Sequence, residues 1–419
     1  MGGKQVSTVK RLTTTLVNLS DGLRLVHNHD KSAGAGIFGL AVKAGSADEL
    51  PDQYGLAHFV EHTIFKGTKR RRSWHVINRM EAVGGELNAF TTKEETVVYT
   101  IFPSGNAARA IELVADLTIN SMFPTSELEK EKQVVIDEIN SYRDTPSEAI
   151  FDDFEEEALK GTPYAHNILG TPESVETLGS ENCRAFLSKN YRRSNCVLFY
   201  TGPMGADRVA GICERYFEAL PAGDKDTSII IKNEITTFEK EISLDIHQCH
   251  CLTGAVVGGV NSPDRHAVAL LANITGGPGM NSLLNVELRE RRGLVYSVET
   301  STALFSGLGL LTVYFGCDLE DLELCRSLTN KVFTNIAEGG FSSRNLEKAK
   351  KQYLGQLAIA SENRENSIMS AARSTLFRGA PTLPEEIEEA IAAISVQKLA
   401  ETAMPMCNPS TLTFTYNSK

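Results

Sequence analysis

The chain of 419 residues is too long for one ordinary core, which sets an expectation of two domains of about 200 residues each. Its 42% hydrophobic and 23% charged content is that of a globular protein able to bury sizeable cores without disulfide staples. A net charge of −11 opposes the phosphates of nucleic acid, and no uncharged apolar run reaches the ~18 residues that would cross a membrane.

The first twelve residues have neither the apolar core of a signal peptide nor the Arg- and Ser-rich look of an organellar presequence. The eight cysteines lack paired spacing. A cytoplasmic protein with buried thiols is therefore expected.

In chain order, residues 14–44 read as strands, with Asp21-Gly22 as a hairpin signal. Residues 54–65 are apolar at helical spacing, with Asp52 placed to cap them. A second helix over 74–83 stops at Gly84-Gly85, and 87–102 is strand-like, rich in Thr, Val and Tyr. Two long amphipathic helices follow over 107–121 and 126–142, the latter with Ser126 and Glu129 spaced as a capping box. Residues 221–240 read as a linker. Beyond it the order recurs: a strand over 241–258, helices at 264–274 and 287–292, a strand at 308–315, then long helices at 320–338 and 343–361. This predicts a duplicated α/β unit, with domains over 1–225 and 226–419.

The chemistry concentrates in His58-Phe59-Val60-Glu61-His62. On a helix, residues 58 and 62 project from one face, where two imidazoles can hold one Zn²⁺. Glu61 borders that face, where a carboxylate can take the proton of an attacking water. The order His-x-x-Glu-His is the inverzincin signature. A catalytic zinc takes three protein ligands, so a third should exist. The candidate is Glu138 on the second long helix, with Glu131 two turns earlier on the same face, where it could orient a ligand histidine. Taken alone, that pair reads as a solvated acidic helix face. His247-Gln248-Cys249-His250-Cys251 looks like a metal cluster, but strand alternation sends its members to opposite faces. His75 and His166 read as structural.

The segment Gly55-Leu56-Ala57-His58-Phe59-Val60-Glu61-His62-Thr63-Ile64-Phe65-Lys66-Gly67-Thr68 resembles the zinc motif of the pitrilysin superfamily, in particular the mitochondrial processing peptidase branch and its bacterial homologues. The resemblance implies Glu138 as third ligand to one zinc per chain, and it makes Glu131 a characteristic companion. Leu288-Arg289-Glu290-Arg291-Arg292-Gly293-Leu294-Val295-Tyr296 is similar to the stretch whose Arg and Tyr reach the substrate from the other half of the fold, so Arg289 and Tyr296 take that role. Gly276-Gly277-Pro278-Gly279-Met280 resembles the Gly-rich loop ahead of it.

Further residues follow from the same likeness. Asn88, Ala89 and Phe90 lie in an edge strand to which a peptide could add. Glu148 and Asp152 match an acidic pair that receives an arginine near the cut, and Phe65 matches an aromatic that packs on the residue after it. The implied fold is α+β: two homologous α/β domains, each a mostly antiparallel sheet with helices on one side. The implied activity is zinc metalloendopeptidase action on unfolded peptides or short proteins. The implied assembly is a homodimer, or else a heterodimer with a zinc-less homologue. The alternative function is a non-catalytic assembly or peptide-binding subunit of the same fold.

Overall fold

The structure is a computed structural model that describes residues 14–223, 237–407 and 411–418. Most of the 221–240 linker thus lies outside the described residues.

The first sheet contains β1 (Thr14–Asn18), β2 (Arg24–His29), β3 (Ala35–Val42), β4 (Glu86–Thr91), β5 (Thr96–Pro103) and β6 (Cys196–Gly202), in the spatial order β1-β2-β6-β3-β5-β4. The second contains β7 (Glu239–Leu244), β8 (Cys249–Val257), β9 (Val295–Leu304), β10 (Gly309–Cys317) and β11 (Leu412–Ser418), in the order β7-β11-β8-β10-β9. Each sheet is antiparallel except for one parallel pair, β2 with β6 and β7 with β11. Without β1, the two topologies superpose strand for strand: β2, β6, β3, β5 and β4 correspond to β7, β11, β8, β10 and β9. The recurrence read in the sequence is thus a recurrence of sheet topology.

Asp21 and Gly22 turn β1 into β2 with φ of 54° and 83°, the left-handed backbone of a tight hairpin. The segment expected as one strand over 241–258 is two, β7 and β8. Its middle, 245–248, leaves the ladder, and β7 instead takes the outer place beside β11.

The helices of the first half include α1 (Leu56–Thr63), α2 (Ser73–Glu81), α3 (Ala107–Asn120), α4 (Thr125–Arg143) and α5 (Pro146–Ala158). α1 and α3 cover one face of the first sheet, packing on Leu25, Phe38, Leu40, Val42, Val98 and Leu198. The alternate residues Val26, Ile37, Ala41, Val97, Val197 and Phe199 point the other way. They are covered by a helix of the second half, Arg364–Arg378, through Ile368, Ala371, Ala372 and Leu376. The reciprocal exchange places α5 on the second sheet, where Ile150, Phe154 and Ala158 meet Leu252, Leu310, Leu412, Phe414 and Tyr416. Each half thus lends one helix to the back of the other's sheet. This is why β3 and β6 read as continuous apolar runs rather than alternating ones.

The exchange ties the halves together. Phe154 is buried and its ring lies 5.9 Å from that of Phe238. Phe154→Ala is expected to cost about 3–5 kcal/mol by cavity formation, read as a lower urea midpoint at unchanged slope.

Candidate metal centre

α1 starts where Gly55 takes φ of 92°. A Cβ there would lie 2.6 Å from the Leu169 carbonyl oxygen, so only glycine fits. The expected cap Asp52 is not used. The carboxylate of Glu49 arrives from upstream and accepts from the backbone N–H of Gly55 at 2.9 Å and of Ala57 at 2.6 Å. His166 Nε2 holds the same carboxylate at 3.0 Å, and its ring stacks on Tyr54 with centroids 3.8 Å apart. His166 is therefore structural, as expected, and it anchors the start of the motif helix.

Leu56, Ala57, Phe59 and Val60 are buried in the core, which fixes α1's rotation. His58 is buried, while Glu61 and His62 are half-buried on the facing side. α4 runs alongside. It begins at Thr125 behind Pro124, not in a Ser126 capping box, and Glu129 instead pairs with Lys132 at 2.8 Å. Leu128, Val135 and Ile139 bury one face of α4, which brings Glu131 and Glu138 to α1.

Glu138 Oε2 lies 3.4 Å from His62 Nε2 and 3.9 Å from His58 Nε2. The ligand atoms of His58, His62 and Glu138 all fall within 4.8 Å of one another, the one such grouping among the described residues. His62 Nδ1 meets Glu131 Oε1 at 3.1 Å, and a ring that donates there presents Nε2 on the side of Glu138. Glu131 is itself held by Lys66 Nζ at 2.6 Å. Burial, helped by the neighbouring His62, pushes the His58 pKa down to about 3, so this ring is neutral. Two imidazoles and one carboxylate fit a catalytic zinc and leave a fourth position open.

Glu61 is one residue from His62 and its pKa is raised. Burial is the main cause, with Thr91 and His62 pulling the other way and Glu138 adding to the rise. A carboxylate so placed keeps basicity in a half-buried site. Glu131 acts through His62, so Glu131→Gln is expected to weaken zinc binding by about 10–100-fold. Competition with a chelating dye measures it.

Of the other expected residues, Asn88, Ala89 and Phe90 lie on β4, which ends the sheet beside β5 among the described residues and packs against α1. Among the described residues no strand pairs with its outer edge. Phe65 is half-buried in the turn Ile64–Lys66 after α1. Glu148 and Asp152 stand on α5, four apart. Asp152 accepts from Asn167 Nδ2 at 2.8 Å, and burial raises its pKa. Burial also raises the Tyr142 pKa, and the charges of Asp152, Glu148 and Glu138 add to the rise, so the three carboxylates share one electronegative region.

Arg289 sits in a π-helical turn, Asn285–Glu290, where an ordinary helix over 287–292 was expected. Tyr296 is 80% exposed on β9, the edge strand that corresponds to β4. Within the chain, neither side chain bonds to the metal-site residues. The apparent cluster at 247–251 separates as expected: Cys249 and Cys251 are buried, and His250 Nδ1 meets Tyr314 Oη at 2.8 Å. Sequence reading missed Glu49 and Lys66. Lys66 could have been found, since it stands one helical turn after His62.

Comparison with known proteins is consistent with this geometry. Residues 24–172 match the insulinase (peptidase family M16) model, and residues 177–353 match the peptidase M16 inactive domain. An uncharacterized zinc protease of Rickettsia bellii is 30% identical over 386 residues, covering 92% of this chain and 93% of the relative. The uncharacterized zinc protease YmxG of Bacillus subtilis is 27% identical over 379 residues, covering 90% and 92%. Two crystal structures share the fold. A peptidase M16 inactive domain from Pseudomonas fluorescens has a TM-score of 0.90 at 18% identity, covering 97% of this chain and 98% of its own. A protease from Helicobacter pylori has a TM-score of 0.87 at 19% identity, covering 97% and 100%. With His58, His62 and Glu138 converging and a relative at 30% identity along nearly the whole length, the chain belongs to the M16, or insulinase, family of the pitrilysin superfamily of zinc peptidases.

Proposed function

We propose that the chain is a zinc-dependent endopeptidase acting on unfolded peptides or short proteins. One observation carries the reading: α1 and α4, with Glu138 standing 76 positions after His62, bring two imidazoles and a carboxylate within 4.8 Å. Zinc held there supplies a Lewis acid that acidifies water and polarises a carbonyl.

The chain's own residues do the rest. Glu61 takes the proton of the attacking water and returns it to the leaving amine. Glu131, braced by Lys66, holds His62 in its ligating tautomer. The outer edge of β4 takes the peptide's main chain as an added strand, a mode with little sequence preference. Glu148 and Asp152, in the field shared with Glu138, favour an arginine upstream of the cut, and Phe65 favours an apolar residue downstream.

The zinc-binding catalytic domain is assigned to 1–225 and the domain with Arg289 and Tyr296 to 226–419. Two copies pair so that Arg289 and Tyr296 of one subunit face the metal site of the other, where a guanidinium and a phenol can donate to a developing oxyanion. The exposure of Tyr296 within the single chain supports this arrangement. A zinc-less homologue as partner is the competing assembly. The protein is assigned to the cytoplasm, and no helix among the described residues is long and apolar enough to cross a membrane.

Mixing subunits tests both the activity and the assembly. A Glu61→Gln chain and an Arg289→Ala chain, each nearly inactive alone, are expected to regain chelator-sensitive cleavage of an unfolded peptide when combined. No gain on mixing would contradict the shared site. A zinc-loaded wild type that binds peptide without cutting it would support a peptide-holding subunit instead.

A further inference from the structure

The loop after the motif helix continues as Lys69-Arg70-Arg71-Arg72 and leads into α2. In a chain with a net charge of −11, this basic run opens onto a cleft of about 380 Å³ lined by Arg70, Arg71, His75, Asn78, Arg79 and Arg109. That volume lies at the lower end of the range for small-ligand sites, about 300–1,000 Å³.

Two carboxylates on α3 stand behind the arginines. Glu112 accepts from Arg71 Nη2 at 2.7 and 2.9 Å and from Arg79 Nη2 at 3.2 Å. Asp116, buried, accepts from Arg71 Nη1 at 2.5 Å and from Thr68 Oγ1 at 2.8 Å. Arg71 is thereby spent as scaffold, and Arg79 is held in place with donors to spare. The Arg79 side chain is about one-third exposed, so part of its guanidinium stays open to the cleft.

Arg109 gives one N–H to the Arg79 carbonyl at 3.0 Å, and Arg70, with its side chain 62% exposed, meets Asp116 only at 3.9 Å. Among the described residues, four guanidiniums against two carboxylates leave two positive charges unmatched at the lining. His75, expected from the sequence to be structural, is exposed there. Guanidinium forks fixed in this way suit the tetrahedral oxygens of phosphate, which accept in pairs.

We propose that this cleft binds a small phosphate-bearing polyanion, an organic di- or triphosphate, through Arg70, Arg79 and Arg109 with His75 and Asn78 at its margin. The exposed indole of Trp74 flanks the site, its ring 5.2 Å from that of His75 and perpendicular to it. Trp74 is the chain's single tryptophan, so it reports occupancy directly. The proposal shares no residue with the metal centre and stands apart from the peptidase reading.

The test titrates inorganic tripolyphosphate into the full chain, following Trp74 fluorescence and calorimetry in parallel, with orthophosphate and anionic phospholipid vesicles as comparison arms. The expected result is saturable binding of tripolyphosphate, tighter than orthophosphate and weakened by added salt. The double variant Arg70→Gln, Arg109→Gln should bind about tenfold or more weakly with an unchanged melting temperature in the absence of ligand. That variant spares the guanidiniums hydrogen-bonded to Glu112 and Asp116, so it should fold. No binding of tripolyphosphate, binding undiminished in the double variant, or binding to vesicles alone would each overturn the proposal.

Discussion

Replacing Glu61 by Gln should abolish hydrolysis while leaving the metal in place. Glutamine keeps the size and hydrogen-bonding reach of the side chain but cannot accept a proton at neutral pH. General acid–base catalysis contributes about 10²–10⁴ in rate, so kcat should fall by that factor with KM little changed. Glu61 is not among the converging ligand atoms, so zinc content should match the wild type. Its half-buried position beside His62 also predicts little loss of fold, because the change removes a charge that burial already disfavours. Cleavage of an unfolded peptide by the purified variant at near wild-type rate would show that another group moves the proton.

Replacing Glu138 by Ala should strip the metal. The carboxylate is the one acidic residue of the group, and without it two imidazoles remain at the site. Zinc affinity should therefore fall further than the about 10–100-fold expected for Glu131→Gln, and activity should fall with it. The order of the two variants is the informative result. Glu138→Ala must be the more damaging, since Glu131 reaches the metal site only through His62 Nδ1. A Glu131→Gln chain that loses more zinc than Glu138→Ala would mean that Glu131 ligates. The helix should survive either change, because Leu128, Val135 and Ile139 supply its apolar packing, and Glu131→Gln keeps the shape of a side chain that is itself buried.

The grouping of His58, His62 and Glu138 was legible because its two histidines obey a local rule. Residues four apart on a helix share a face whatever surrounds them, so His58 and His62 declared themselves. Glu138 did so only as a candidate, since an acidic residue on a long amphipathic helix has the same pattern whether it faces solvent or a metal. The duplicated topology was legible as an order of elements. The exchange of α5 and Arg364–Arg378 between the two sheets was not. Each is an ordinary amphipathic helix, and nothing in its period names the sheet that receives its apolar face. The parallel pairing of β2 with β6 was hidden for the same reason, because it joins segments at opposite ends of the first half.

The cap of α1 illustrates a different limit. Asp52 stood at a plausible distance, yet the carboxylate that serves α1 is Glu49, six residues before Gly55 and eight before Ala57. A turn over Ser46–Asp48 and the left-handed Gly55 fold the chain back so that a more distant side chain reaches the free N–H groups. Capping rules assume a chain that enters the helix directly, and here the approach to α1 is shaped by His166 and Tyr54 instead.

The most direct test is a crystal of the wild-type chain grown with zinc and measured at the zinc absorption edge. The account predicts one anomalous peak per chain, about 2.0–2.2 Å from His58 Nε2, His62 Nε2 and a carboxylate oxygen of Glu138. A peak elsewhere, such as beside His247 or His250, or no peak at saturating zinc, would contradict it.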